Sequence, residues 1–213
     1  CVIGGAGARS AFLTKSLVKS TRDIRVDHIV LLDNDQQKLK TYGEISRELS
    51  RRLDPDLTFE VTSDARAALT GVDYIITTIR AGGDAGRLFD EQTCLAHGVL
   101  GQETTGAGGF AMAIRSVPTL VYYCTLAREV ANPGHLIFNF TNPSGIITQA
   151  LRSKGFDNVY GICDAPSGFI KQLEEILEIP YGTLDIECYG LNHLSWFRNA
   201  KVNGRDVQRE LLD

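Results

Sequence analysis

Two short segments carry side chains suited to chemistry. Cys163-Asp164-Ala165-Pro166 follows the mostly apolar run Asn158-Val159-Tyr160-Gly161-Ile162, which the pattern predicts as a strand stopping at a proline. Cys163 is therefore expected at a strand's carboxyl end, the edge where an open parallel α/β sheet binds ligands. About one helix later, Ile186-Glu187-Cys188-Tyr189-Gly190-Leu191-Asn192-His193 alternates and ends in an Asn-His pair. A soft thiolate with an imidazole is a transition-metal ligand set. A lone strand-end cysteine is more often a packed small hydrophobe, so the rest of the chain has to decide.

Other candidates lie upstream. Val2-Ile3-Gly4-Gly5-Ala6-Gly7-Ala8-Arg9-Ser10 reads as a strand, a glycine turn and a helix start. Gly4, Gly5 and Gly7 would let the backbone approach a pyrophosphate at a helix N-terminus, although Ser10 departs from the strict GxGxxG pattern. The next strand, His28 to Leu32, ends in Asp33, placed to accept hydrogen bonds from an adenosine ribose and to repel a 2′-phosphate, which favours NAD over NADP. The competing reading of Asp33 is a helix N-cap for the run Gln36 to Arg52, a task Asp35 could perform instead. Arg80-Ala81-Gly82-Gly83 ends the apolar strand Val72 to Ile79 and forms a second loop able to approach a cofactor. Arg87 could clamp a carboxylate or phosphate bidentately, or pair with Asp90 or Glu91. Glu103 is an isolated carboxylate among Gly98, Gly101, Gly106, Gly108 and Gly109, in what reads as a functional loop. Asn139 and Asn142 end a buried strand and could hold a nicotinamide or sugar hydroxyls, or serve as turn residues before Pro143.

These residues need a scaffold, and the chain supplies alternating elements. Strands alternate with helices from Val2 to Cys163, the pattern of a doubly wound parallel α/β sheet. A helix is expected from Pro118 to Val130. Beyond Ser167 the pattern becomes a helix from Phe169 to Leu177, a strand from Leu184 to Tyr189 and a stretch from Trp196 to Val202, the start of a mixed α+β region. The expected division is residues 1–165 and 166–213. Both ends read as truncated, because the chain begins inside its first strand and stops abruptly at Glu210-Leu211-Leu212-Asp213.

Composition narrows the function classes. With 213 residues and a net charge of −4, the chain offers no basic footprint for nucleic acid or an anionic membrane. Five cysteines without paired spacing argue against a disulfide framework and for a reducing, cytoplasmic compartment. No apolar run approaches the roughly 20 residues that span a bilayer, and no signal peptide is evident.

Six ordered motifs together resemble glycoside hydrolase family 4, most closely its 6-phospho-β-glucosidases. They are Gly4-Gly5-Ala6-Gly7, Arg87-x-x-Asp90-Glu91, Gly101-Gln102-Glu103-Thr104, Thr141-Asn142-Pro143, Cys163-Asp164-Ala165-Pro166 and Gly190-Leu191-Asn192-His193. The resemblance implies a Rossmann-type fold like that of lactate and malate dehydrogenases, bound NAD, and a divalent metal, usually manganese. It also implies an oxidation, elimination, addition and reduction route in which NAD takes hydride from sugar C3 and later returns it, an exception to two-carboxylate glycosidase chemistry. The substrate class it implies is a phosphorylated disaccharide or glucoside, and the assembly a homo-oligomer.

On the same resemblance, Cys163 and His193 match metal ligands, and Arg87 and Asn142 match substrate-contacting positions. Glu103 matches a carboxylate that raises the basicity of a catalytic tyrosine. Asp164 matches the general acid of the 6-phospho-α-glucosidases, whereas the Gly-Gln-Glu-Thr-Thr-Gly and Gly-Leu-Asn-His-Leu-Ser segments look β-like. Ala165 fits neither pattern. The tyrosine base of the family lies downstream of its Asn-His motif, so this chain by itself is expected to bind NAD without completing catalysis. The alternatives are an α-acting member of the same family (6-phospho-α-glucosidase or α-galactosidase), a 2-hydroxy-acid dehydrogenase, and a non-catalytic NAD sensor.

Overall fold

The computed structural model describes residues 1–24 and 26–212. Its main feature is one six-stranded parallel sheet, made of β1 Val2–Ile3, β2 His28–Leu32, β3 Thr58–Thr62, β4 Tyr74–Thr77, β5 Leu136–Asn139 and β6 Val159–Gly161. The strand order is β3-β2-β1-β4-β5-β6, which reverses between β1 and β4. Ligands of such sheets sit outside the carboxyl ends of the strands at that reversal. The doubly wound sheet expected from the alternation is present.

Helices make the crossovers. α1 Ser10–Lys19 and α2 Thr21–Ile24 join β1 to β2; α3 Gln36–Lys38, a π turn Leu39–Gly43 and α4 Glu44–Leu53 join β2 to β3. α5 Ala65–Leu69 precedes β4, α6 Gly83–Ala96 and α7 Gly106–Val130 separate β4 from β5, and α8 Ser144–Ser153 separates β5 from β6. Both faces of the sheet are covered, so β2 is apolar and buried from Ile29 to Leu32. Val30 and Leu32 enter a core with Ile3, Ile75, Leu120, Ile137 and Ile147, while Ile29 and Leu31 enter another with Val2 and Val18.

α7 departs from expectation. It begins at Gly106, well before Pro118, so the latter half of the glycine-rich segment is helix and Pro118 lies inside it. The reason is close packing: a Cβ on Gly108 would lie 2.3 Å from the Gln102 carbonyl oxygen, and one on Gly109 would lie 2.9 Å from the Thr104 carbonyl carbon. These glycines bring the helix against the preceding turn, a use that sequence cannot distinguish from loop flexibility. At 25 residues α7 has the length and apolar composition of a membrane span, yet Leu120, Cys124 and Ala127 on its inner face belong to the main core.

α9 Ala165–Ile176 leads out of the parallel sheet to an antiparallel one, β7 Leu184–Leu191, β8 Leu194–Val202 and β9 Arg205–Asp206. Leu173, Leu184, Ala200 and Val207 form a separate small core beneath this sheet. The entry to β7 is held by Glu174, 1% exposed, whose Oε1 accepts the amide protons of Gly182, Thr183 and Leu184 at 2.8, 2.9 and 3.0 Å.

Candidate functional site

Because β1, β2, β4, β5 and β6 are parallel, the loops that follow them emerge on one edge, and the candidate residues lie there in turn. After β1, Gly4 takes φ +85°, and a Cβ there would lie 2.8 Å from the Thr78 carbonyl carbon, so glycine is required to seat β1 against the β4 loop. Gly7 differs. A Cβ there would meet nothing closer than 3.8 Å, which leaves the exposed backbone of the turn open to an approaching ligand.

Asp33 lies beside this turn. Its Oδ2 accepts the Ala6 amide at 3.1 Å and its Oδ1 the Asp35 amide at 3.0 Å, which fixes the carboxylate at the end of β2 while each oxygen keeps a lone pair. The cap of α3 is Asp35, whose Oδ1 accepts from Gln37 and Lys38. Those bonds, led by that from the Lys38 amide, hold the Asp35 carboxyl below its ordinary range. Asp33 is thereby released from the capping role.

The β4 loop carries an arginine cluster. Arg80 spends three of its five N–H donors within the chain: Nε and Nη2 donate to Glu103 at 3.0 and 3.1 Å, and Nη1 donates to Asp84 at 2.7 Å. The hydrogen bond with Glu103 is the main reason its pKa is raised. The geometry thus turns Arg80, expected to face a cofactor, towards Glu103, which is only 14% exposed. Arg87 pairs with Glu91 through Nε at 2.7 Å, and its Nη1 lies 4.0 Å from Glu103. The Arg87 side chain stays 42% exposed, which leaves its guanidinium accessible to an anion. Asp90, expected as an alternative partner, is taken instead by Arg115 of α7.

At the end of β5 the two asparagines separate. Asn139 is fully buried; its Oδ1 accepts from the Thr77 hydroxyl at 2.9 Å and its Nδ2 reaches the Thr141 and Ser144 carbonyls and the Thr148 hydroxyl. This side chain ties β4, β5 and α8 together and has no surface for a nicotinamide. Asn142, partly exposed in the Thr141-Asn142-Pro143 turn, remains on the ligand edge.

Cys163 follows β6, as the sequence predicts, and His193 comes to it from the β7–β8 hairpin. Leu191 pairs with Leu194, which leaves Asn192 and His193 as the turn. His193 holds φ +58°, a left-handed conformation uncommon for a residue with a Cβ. The result is a separation of 3.5 Å between Cys163 Sγ and His193 Nε2. Two ligands at about 2.3 Å (sulfur) and about 2.1 Å (nitrogen) from one tetrahedral ion would stand about 3.6 Å apart, so the pair fits a shared cation. Among the described residues no group of three or more Cys, His, Asp or Glu side chains forms a metal site, so within them the pair stands alone.

Around the pair, the Ala165 amide donates to Cys163 Sγ at 3.4 Å, and Asp164 takes the N-cap position of α9 without a capping bond from its own carboxylate among the described residues. An open cleft of about 660 Å³ adjoins Cys163, lined by Ser144, Thr148, Arg152 and Asn192. Asn192 Oδ1 is buried with no hydrogen-bond partner among the described residues. Sequence reasoning names Asn192 in a motif without giving it a role and passes over Arg115. The Asn192-His193 spacing at a hairpin tip was a usable signal for the first; nothing local signals the second.

A parallel sheet of this order, with a glycine turn beside its reversal and an acidic residue ending β2, defines a Rossmann-type α/β fold. A malate dehydrogenase of Naegleria fowleri shares that fold with a TM-score of 0.72 at 13% identity, over 98% of this chain and 62% of that one. The Cys–His pair narrows the class. Residues 1–179 match Family 4 glycosyl hydrolase, and the chain belongs to that family. It is 35% identical over 214 residues to a 6-phospho-beta-glucosidase of Thermotoga maritima, covering 100% of this chain and 50% of the relative. A structure of the 6-phospho-beta glucosidase from Thermotoga maritima with manganese, NAD+ and glucose-6-phosphate aligns with a TM-score of 0.88 at 33% identity, over 99% of this chain and 51% of that one. A 6-phospho-alpha-glucosidase from gut microorganisms, in complex with NAD and Mn2+, aligns with a TM-score of 0.92 at 32% identity, over 99% of this chain and 50% of that one. The chain spans about half the length of the curated relatives it matches.

Proposed function

We propose that this chain forms the NAD- and metal-binding half of a 6-phosphoglucosidase, with residues 1–165 as the dinucleotide-binding domain and 166–213 as the beginning of the substrate domain. The 3.5 Å approach of Cys163 Sγ to His193 Nε2 carries the reading, because a 2-hydroxy-acid dehydrogenase needs no such pair. The backbone of the Gly4 to Gly7 turn would receive the pyrophosphate of NAD, and Asp33 the adenosine ribose. Cys163 and His193 would hold a divalent cation such as manganese.

Bound there, NAD supplies a reversible hydride acceptor and the cation supplies Lewis-acid polarisation of a sugar carbonyl. The chain's own residues do the rest. Arg87 offers its Nη edge to the sugar phosphate, and Asn142 orients sugar hydroxyls. Asp164, with a carboxylate free of the cap of α9, stands ready to pass a proton to the leaving oxygen. Glu103, gripped by Arg80, presents a fixed negative charge that supports a base supplied by the rest of the enzyme. Homo-oligomeric assembly and a cytoplasmic setting complete the proposal.

The β anomer is the preferred substrate on this reading, since the segments around Glu103 and His193 are β-like. Asp164 favours the α anomer and gives the second reading. The test is aglycone release from 6-phospho-β- and 6-phospho-α-glucosides by the whole enzyme with NAD, manganese and a thiol reductant. Cleavage of the β series supports the first reading and of the α series the second; steady NADH formation from malate or lactate, with neither series cleaved, removes both.

A further inference from the structure

We propose that Arg115 is a positioning residue for the anion subsite, acting with Asp90 as a clamp that sets where Arg80 and Arg87 present their guanidinium groups. The proposal rests on the phosphosugar reading of Arg87 given above.

Arg115 belongs to α7 yet spends its polar atoms on the β4 loop and α6. Nη1 donates to Asp90 Oδ1 at 3.0 Å, Nη2 to Asp90 Oδ2, and Nε to the Ala81 carbonyl at 3.2 Å. Asp90 is 8% exposed and Arg115 31%, so the pair is a bidentate ion pair whose carboxylate is withdrawn from water. The Asp90 hydrogen bond is the main cause of the raised Arg115 pKa, which agrees with the geometry.

The loop it grips needs holding. Gly82 and Gly83 take φ +85° and +61° in succession, a backbone path that glycine permits but does not enforce. Arg115 lies against it: a Cβ on Gly82 would fall 3.0 Å from Arg115 Nε, and one on Gly86 would fall 3.5 Å from the guanidinium carbon. Arg80 immediately precedes Ala81, whose carbonyl Arg115 holds. Arg87 and Asp90 share α6, three residues apart. One guanidinium therefore ties the loop bearing Arg80 to the helix bearing Arg87. The Arg80–Glu103 pair then closes the frame, beside which Arg87 stays 42% exposed.

Displacing a bidentate donor by about 1 Å costs far more in ligand affinity than in fold stability. Lysine at position 115 can keep a charge contact with Asp90, but its single nitrogen cannot also hold the Ala81 carbonyl in the same geometry. The test compares Arg115→Lys, Asp90→Asn and Arg87→Ala in the whole enzyme, by calorimetric titration with glucose 6-phosphate and with NAD and by thermal melting. Arg115→Lys is expected to melt within about 3 °C of the wild type and to bind NAD within about twofold. Its affinity for glucose 6-phosphate should fall about tenfold or more, and KM for the phosphorylated substrate should rise while kcat changes little.

Two results would overturn the clamp: glucose 6-phosphate binding by Arg115→Lys within about twofold of wild type while Arg87→Ala loses it, or a proportionate loss of NAD affinity, sugar phosphate affinity and melting temperature, which is what a merely structural arginine produces. If Arg87→Ala also leaves sugar phosphate binding unchanged, the phosphate reading itself falls and the clamp falls with it.

Discussion

The sulfur of Cys163 and Nε2 of His193 lie 3.5 Å apart although thirty residues separate them in the chain. One sits at the end of an edge strand of the parallel sheet, the other at the tip of an antiparallel hairpin. Three local features serve the meeting: the helix start at Ala165, whose amide donates to the sulfur; the tight Asn192-His193 turn; and the left-handed conformation of His193. Left-handed backbone at a side chain this size is strain of the kind that collects at functional sites.

The pair should therefore bind metal as a unit. Replacing Cys163 by Ser or His193 by Ala is expected to weaken Mn2+ binding at least about tenfold, while NAD affinity stays near that of the parent. Titration of free Mn2+ by electron paramagnetic resonance reads the first quantity and fluorescence of bound NADH the second. Unchanged Mn2+ affinity in both variants would remove these residues from the metal site.

Glu174 supports the hairpin from below. Its Oε1 satisfies three amides at the start of β7, while Oε2 is buried with no partner among the described residues. Glu174→Ala removes the acceptor of three amides, of which that of Leu184 is buried, so a loss of about 2 kcal/mol is expected, whereas Glu174→Gln keeps an acceptor oxygen and should cost about half as much. Urea unfolding followed by circular dichroism gives both values, and equal destabilisation by the two variants would show that the amide contacts are not what the carboxylate provides.

Asp33 is expected to discriminate between the cofactors. Its two anchoring amides, from Ala6 and Asp35, hold a negative charge where an adenosine ribose would lie. Asp33→Ser is expected to weaken NADH binding about tenfold and to narrow its advantage over NADPH, because the serine neither accepts two ribose hydroxyls nor repels a 2′-phosphate. Fluorescence titration with the two reduced cofactors measures the ratio. An unchanged preference would place discrimination elsewhere.

Much of this fold is legible in the sequence because a buried parallel strand leaves a plain mark: Ile29 to Leu32 is wholly apolar and Val72 to Ile79 mostly so. Cys163, Asp33 and Asn142 are placed on the ligand edge by the same reasoning, since each ends such a run. What stays hidden is the direction a polar side chain takes. Asn139 and Asn142 are both polar residues at the end of β5, yet Thr77 and Thr148 draw Asn139 inward. Arg80 is paired bidentately with Glu103, twenty-three residues away, and Asp90 is taken by Arg115, twenty-five away. Such pairings depend on how α6 and α7 pack, which no local pattern records. The glycines at 108 and 109 mislead for a related reason, since close helix packing and loop freedom ask for the same residue.

Thiol chemistry separates the cysteines by environment. Cys124 is 1% exposed in the main core, and burial pushes its thiol up to about 12. Near pH 8 its thiolate fraction is then about 10⁻⁴, and the reagent cannot reach it while the fold is intact. Cys94 is also buried, at 7% exposure. Cys188 is exposed on β7 and Cys163 partly so at the cleft. Iodoacetamide under native conditions is therefore expected to label Cys188, Cys163 and the equally part-exposed Cys1, leaving Cys94 and Cys124 unmodified until denaturant is added. Added Mn2+ should protect Cys163 alone, because a sulfur engaged by a cation is withdrawn as a nucleophile, whereas Cys188 is no part of the pair. Peptide mapping by mass spectrometry assigns each modification, and protection of Cys188 together with Cys163 would mean that the metal acts on the hairpin as a whole and not through the Cys163 sulfur.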